Sequence, residues 1–354
     1  MTAVPWAGGP GSRTSELFVV MPGNVDDPAS PSGGNRYDRA VCDGLARSRT
    51  IHEIAVNGAW PRPAPAVRRV LASGLSDIPD RSTVLIDGLV ACGVPEVLEP
   101  AMRRLRAVVL VHLPLGDETG LSRADAAELT ALERRVLHAA AAVVVPSEGA
   151  ARRVIDVHAL PASRVHVVPP GVDPAPLAIG SENGGELLCV AAVTPRKGQD
   201  VLVEALGCLD DLDWRCTCVG PIYRDVPAAP DRVRFVGPMT GADLNGAYAA
   251  ADLLVLPSRA ETYGMVVTEA LARGLPVLAT RVNGVPEALG VAPDGAPPGM
   301  LVTPGHADEL AAALRAWLTD PDLRDRWRAA ARARRTTLPG WDETIRRLSE
   351  VLDR

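Results

Sequence analysis

A chain of 354 residues with a net charge of −6 and only 3% aromatic residues is long enough for two domains of ordinary size. Its acidic balance argues against a general nucleic-acid binder, and its few rings argue against a module that stacks single-stranded bases. With 47% apolar residues it has the material for large cores, built from Val, Leu and Ala rather than from aromatics.

Residues 1–15 are rich in Gly, Pro and Ser and lack the apolar stretch of a signal peptide, so they read as a disordered tail. Short apolar runs then predict strands at 17–21, 51–56, 83–86, 107–111, 142–145 and 165–168. Amphipathic patterns such as 35–47 and 123–140 predict helices between them. Pro169-Pro170-Gly171-Val172-Asp173 and the Pro- and Gly-rich stretch up to 185 read as a join between domains. The pattern then restarts, with strands at 186–191, 215–219, 233–236, 253–256, 276–279 and 300–302. Helices are expected near 199–209, 242–250, 265–273 and 307–318. A last helix, 341–352, follows the Leu-Pro-Gly break at 338–340 and is expected to pack back toward the N-terminal half. Continuous apolar strands alternating with helices predict an α/β fold with two doubly wound, Rossmann-like domains, 16–173 and 174–340.

No apolar run is long enough to span a membrane. Arg68-Arg69 and Arg103-Arg104-Leu105-Arg106 are short basic clusters that read as solvated faces, so peripheral membrane contact has little support. Six scattered cysteines read as free thiols suited to a cytoplasmic protein, with Cys216 and Cys218 as strand packing rather than metal ligands. Asp211-Leu212-Asp213 precedes a strand and so falls at the end of the sheet away from ligands; it is read as a turn, and no catalytic metal is expected.

Lys197 is the only lysine, against 36 arginines. It follows a strand and opens a helix at about Gly198, where backbone N–H groups and the helix dipole favour an anion. Arg196 adds a second charge. Such a lysine holds a phosphate, forms a Schiff base, or is a chance surface residue. The second loop of interest is Ser258 to Gly274. Glu261 lies before a helix starting near Met265, and Glu269 lies about one turn inside it. N–H groups at Gly264 and Met265 between two carboxylates could take a diphosphate, while a carboxylate holds sugar hydroxyls. The plain alternatives are an acidic helix start and a solvated helix face.

Glu261-x7-Glu269 followed by Ala-Leu-Ala-Arg-Gly-Leu-Pro-Val resembles the signature of the family 4 glycosyltransferases. Lys197-Gly198, Pro170-Gly-Val-Asp173, Gly284-Val-Pro-Glu287 and Gly33-Gly34 extend the resemblance over most of 16–350. It implies the GT-B architecture, two domains facing across a cleft. It also implies metal-independent, retaining transfer of a sugar from a nucleoside diphosphate sugar, with no cofactor. By matching position, Lys197 would neutralise the donor diphosphate and Glu269 would hold the ribose hydroxyls. Glu261 would contact the transferred sugar, beside the N–H groups of Gly264 and Met265. His112 would lie near the reacting sugar, and Gly33 and Gly34 would let an N-terminal loop approach the diphosphate. Where relatives carry an arginine five residues before the lysine, this chain has Ala192, so Arg196 or Arg259 is expected to supply the charge. Asn283 stands where relatives have glycine. The expected acceptor is a small soluble molecule. Rival readings are a nucleotide-sugar epimerase, a lipid-acceptor transferase, a pyridoxal-phosphate phosphorylase using Lys197, and a non-catalytic nucleotide-sugar binding module.

Overall fold

The computed structural model describes residues 15–29, 31–223 and 225–354. Its strands form two parallel six-stranded sheets. The first holds β1 (Ser15–Pro22), β2 (Arg49–Val56), β3 (Thr83–Asp87), β4 (Arg106–Leu110), β5 (Ala142–Val145) and β6 (Val165–Val167), in the order β2-β1-β3-β4-β5-β6. The second holds β7 (Glu186–Val190), β8 (Arg215–Val219), β9 (Val233–Phe235), β10 (Leu253–Leu256), β11 (Val277–Thr280) and β12 (Gly299–Val302), in the order β12-β11-β10-β7-β8-β9. Every strand expected from the apolar runs is present. Ser15 opens β1; the rest of the expected tail lies outside the described residues.

Parallel neighbours require a crossover on one face or the other, so helices cover both sides. That is why β5 and β10 are buried at every position. The chain reverses its direction of travel between β1 and β3 in the first sheet, and between β7 and β10 in the second. Loops diverge at such switch points and leave a crevice beyond the carboxyl ends of the strands.

The last helix, Trp341–Leu352, completes a core of the first domain rather than the second. Leu348, Val351 and Leu352 recur at helical spacing and pack with Leu17, Val41 and Leu45. Arg106, at the start of β4, donates to the carbonyls of Leu352 (3.0 Å) and Val351 (2.8 Å), which the helix end leaves without partners. This occupies one of the basic clusters noted above. Arg104 likewise donates to the Ile78 carbonyl (2.5 Å) and Asp80 (3.0 Å), and Arg68 to Glu96 (2.6 Å). Among the described residues no helix is long and apolar enough to cross a membrane.

The chain therefore passes between domains twice, and the two passages lie side by side. Val172 N–H donates to the Pro339 carbonyl (3.0 Å), and Thr344 Oγ1 donates to the Pro169 carbonyl (2.9 Å). Gly171 makes this possible, since a Cβ there would sit 2.3 Å from the Trp341 nitrogen. A further contact joins the domains elsewhere. The Glu287 carboxylate accepts from the N–H groups of Glu148 and Gly149, both at 2.8 Å, at the start of the Glu148–His158 helix.

Leu348 is fully buried in the first domain's core. Leu348→Ala is therefore expected to cost about 3 kcal/mol, read as a lower urea midpoint for the first domain. An unchanged midpoint would mean the last helix is not part of that core.

Candidate active site

The cleft has a volume of about 1030 Å³ and is lined by residues from both domains, including Gly33, Arg36, Arg196, Lys197, Met265 and Glu269. Its second-domain wall is built at the β7/β10 switch point. After β7 the chain makes a short turn, Pro195–Lys197, and Gly198 adopts φ 69° before the Gln199–Gly207 helix. Gln199 donates to the carbonyls of Ala191 (3.3 Å) and Ala192 (3.0 Å), which fixes that turn from below. After β10, Gly264 (φ 89°) turns the chain into the Met265–Ala272 helix. Only glycine takes such an angle without strain. Gly274 (φ 65°) then ends that helix, its N–H donating to the Leu271 carbonyl (2.9 Å).

These two loops bring Lys197 onto Glu261 in direct charge contact. Glu261 is 6% exposed, and Ser258 Oγ also donates to it at 3.0 Å. Burial alone would push the Glu261 carboxyl up, but Lys197 and Arg196 outweigh it and hold the group below the usual carboxylate range. Glu269, one turn into the helix, is also buried and accepts from the Tyr248 hydroxyl at 2.9 Å.

The first domain supplies the opposite wall. Gly33 and Gly34 were expected in a loop; they instead form the first turn of the Gly33–Leu45 helix, capped by Ser32, whose side chain accepts from Asn35 N–H (3.0 Å). Side chains there would crowd the site. A Cβ on Gly33 would meet Met265 Sδ at 3.3 Å, and one on Gly34 would meet the His112 ring at 3.1 Å. The helix start thus faces Met265 across the cleft, with His112 directly behind Gly34.

Of the two arginines expected to replace the missing charge, only Arg196 lines the cleft. It donates to the Ala260 carbonyl (3.3 Å) and lies 3.9 Å from Glu261 and 3.5 Å from Glu118. Arg259 is turned onto Asp200 in a two-pronged pair (2.8 Å each) and onto the Pro195 carbonyl (2.8 Å). It braces the Lys197 turn and does not line the cleft. Asp211 pairs with Arg315 (2.7 and 2.9 Å) and Asp213 accepts from Asn183 (3.1 Å), ahead of β8 and outside the cleft. Asn283 has φ 35°, a backbone that asparagine tolerates in place of glycine.

Three functional residues escaped the sequence reading. Arg36 reaches across the cleft, contacting Glu269 closely and Asp173 at 2.7 Å. Asp38 and Asp87 enclose His112: Nε2 lies 2.7 Å from Asp38 Oδ1 and 3.7 Å from Asp87 Oδ2. These three groups are close enough to one another to be considered as metal ligands. The signal for Arg36 and Asp38 was their spacing. Arg36 follows Gly33 by three residues and shares its side of the helix, at the cleft; Asp38 follows Gly34 by four and shares its side, at His112.

Two Rossmann-type sheets with a cleft of mixed charge between their ligand ends form the GT-B architecture, and the comparisons with known proteins give the class as glycosyltransferase. Residues 33–176 match the model described as "Glycosyltransferase Family 4", and residues 184–320 match "Glycosyl transferases group 1". The D-inositol 3-phosphate glycosyltransferase of Pseudarthrobacter chlorophenolicus is 32% identical, over 94% of this chain and 93% of that protein. The enzyme of that name from Kineococcus radiotolerans is 34% identical over 63% of this chain, a region that spans only 59% of the relative's length. Sucrose-phosphate synthase from Thermosynechococcus elongatus shares the fold with a TM-score of 0.76 at 19% identity, over 96% of this chain and 98% of that one. The chain belongs to glycosyltransferase family 4.

The Lys197–Glu261 pair is nearly dry, with side chains 16% and 8% exposed. Lys197→Met strands a buried carboxylate and is expected to cost roughly 3 kcal/mol at neutral pH. The lowered Glu261 carboxyl contributes stability above the ordinary carboxylate range and loses it as pH falls. Without Lys197 the group can take up a proton sooner, so the deficit should shrink from pH 8 to pH 5 in urea titrations. Adding Glu261→Gln should recover most of it. A deficit independent of pH, with no recovery in the double variant, would mean the pair carries no such charge coupling.

Proposed function

We propose that this glycosyltransferase moves a sugar, with retention of anomeric configuration, from a nucleoside diphosphate sugar to a hydroxyl of a small water-soluble polyol. The observation that carries this reading is the Lys197–Glu261 contact at the β7/β10 switch point, facing the glycine-started helix of the other domain. Retention rests on family membership. The polyol acceptor rests on the two relatives, both D-inositol 3-phosphate glycosyltransferases.

In this reading the nucleoside diphosphate enters with its phosphates at Lys197 and Arg196, beside the N–H groups of Gly264 and Met265. Those groups stabilise charge that builds on the leaving diphosphate, so this chain's own residues supply the electrostatic stabilisation. Glu261, already oriented by Lys197 and Ser258, accepts hydroxyls of the sugar. Glu269 accepts the ribose hydroxyls, and Arg36 must give up that carboxylate for them to enter. His112, behind Gly34, faces the reacting centre. No side-chain base is assigned, because the departing phosphate can take the acceptor's proton. The acceptor sits on the first-domain wall, and closure about Pro170–Asp173 excludes water that would hydrolyse the donor.

A panel of nucleoside diphosphate sugars tests this by thermal stabilisation, since a donor at a hundred times its Kd adds about 2.7 kcal/mol. With the donor so identified and a polyol acceptor, Lys197→Ala and Glu261→Gln should each lower kcat at least about 100-fold. Stabilisation by no donor, or turnover that survives both changes, would sink the proposal. Epimerised sugar formed from donor alone would point to isomerisation instead.

A further inference from the structure

The surroundings of His112 contain a hydrogen-bond deficit that locates a proton. Asp38, from the Gly33–Leu45 helix, and Asp87, from the end of β3, are 4% and 6% exposed. Asp38 Oδ1 takes the His112 Nε2 hydrogen bond at 2.7 Å. Asp87 Oδ1 accepts from Leu89 N–H at 2.5 Å. Asp38 Oδ2 is buried with no partner. The ligand atoms of Asp38, Asp87 and His112 all lie within 4.8 Å of one another.

Two ionised carboxylates so close in a dry site repel strongly, and an orphaned buried carboxylate oxygen costs free energy. One proton resolves both problems. We propose that Asp87 carries a proton which it donates to Asp38 Oδ2, so that the pair bears a single negative charge and holds His112 as a fixed imidazolium whose remaining donor, Nδ1–H, serves the reacting centre. In this arrangement Asp38 and Asp87 are positioning residues, and His112 is a cationic hydrogen-bond donor rather than a base.

The local charges agree. Burial pushes the Asp87 carboxyl up and the Asp38 charge pushes it further, against the downward pull of His112 and the Leu89 N–H, and the group ends raised to about 8. For His112, burial alone would lower the pKa; the Asp38 charge and hydrogen bond, then Asp87, overcome it and raise it to about 9. The ring is therefore charged below about pH 9 and loses its proton above it. The other neighbour is Tyr37, whose ring meets His112 edge-on at 5.3 Å, while its hydroxyl donates to the Val168 carbonyl at 3.1 Å. Burial pushes that hydroxyl up, so it stays neutral. Gly34 closes the face of the ring. Among the described residues, Asp38 and Asp87 are the carboxyl groups that act on it, and in this arrangement Asp38 is the one that is ionised.

The site reading above supplies what Nδ1–H would touch; the protonation pattern itself is read without substrate. Imidazole NMR of the unliganded, full-length protein should show His112 titrating near pH 9 in wild type. Asp87→Asn is isosteric with the protonated acid and can donate to the same oxygen, so it should lower the midpoint much less than Asp38→Asn does. Asp38→Asn should drop it toward the ordinary histidine value of about 6.5. Difference infrared spectra of wild type against Asp87→Asn at neutral pH should show loss of a protonated-carboxyl band, a readout that survives even if Asp38→Asn does not fold. Once a donor and acceptor are known, the alkaline limb of kcat/KM should follow these midpoints. A midpoint that falls as far in Asp87→Asn as in Asp38→Asn, no missing carboxyl band, or a stoichiometric divalent metal held by the three side chains would overturn the inference. Absence of transferase activity with intact titration shifts would fault the site reading and leave this one standing.

Discussion

The buried contact between Lys197 and Glu261 is the constraint around which the second domain's ligand face is built. A carboxylate taken out of water must be compensated on the spot, or it protonates or unfolds its surroundings. Here the compensation comes from another loop, so the loops after β7 and β10 cannot drift apart. Several other bonds stitch the same seam. Arg259 N–H donates to the Arg196 carbonyl at 2.7 Å, Arg196 reaches back to Ala260, and Thr280 donates to the Ser258 carbonyl from β11. A lysine suits this place because its compact ammonium can be shared between a carboxylate and an arriving phosphate. A guanidinium in a two-pronged pair, as Arg259 makes with Asp200, is already committed in direction.

The opposing walls of the cleft are built differently. The second domain pairs Lys197 with its own Glu261 and Arg259 with its own Asp200. The first domain lends one of its own cations, Arg36, to Glu269 and Asp173. The Arg36 bridge to Asp173, with side chains 41% and 62% exposed, is a contact in water and worth little on its own. Its contact with Glu269 has one buried partner, whose side chain is 10% exposed. The Lys197–Glu261 pair organises one wall of the site, and Arg36 links the two walls.

Much of the fold was legible because a strand covered on both faces must be apolar throughout, and such runs as Ala142–Val145 and Leu253–Leu256 have few other readings. The second-domain site was legible for a related reason: Lys197, Glu261 and Gly264 lie on short connections after strands, and Glu269 one turn into the helix that follows, so their position follows from strand order. Arg259 shows where that reasoning stops. Its backbone is where expected, but its side chain answers to Asp200, which no spacing rule reveals. Gly33 and Gly34 were expected, from the family resemblance, to let a loop approach the diphosphate; they instead open a helix, where close approach to Met265 and His112 is what excludes side chains. Asp87 falls just past the strand expected at 83–86 and drew no notice; its proximity to His112 depends on the pairing of β3 with β4.

Two strands of chain pass between the domains at one place, tied to each other through Val172 and Pro339 and through Thr344 and Pro169. A single linker would leave one domain free to swivel and slide over the other. Two adjacent tethers remove most of those freedoms and leave rotation about the line that joins them. If the domains close on a donor as proposed above, the cleft shuts as a book does along its spine, and the groups on one page return to the same places on the other.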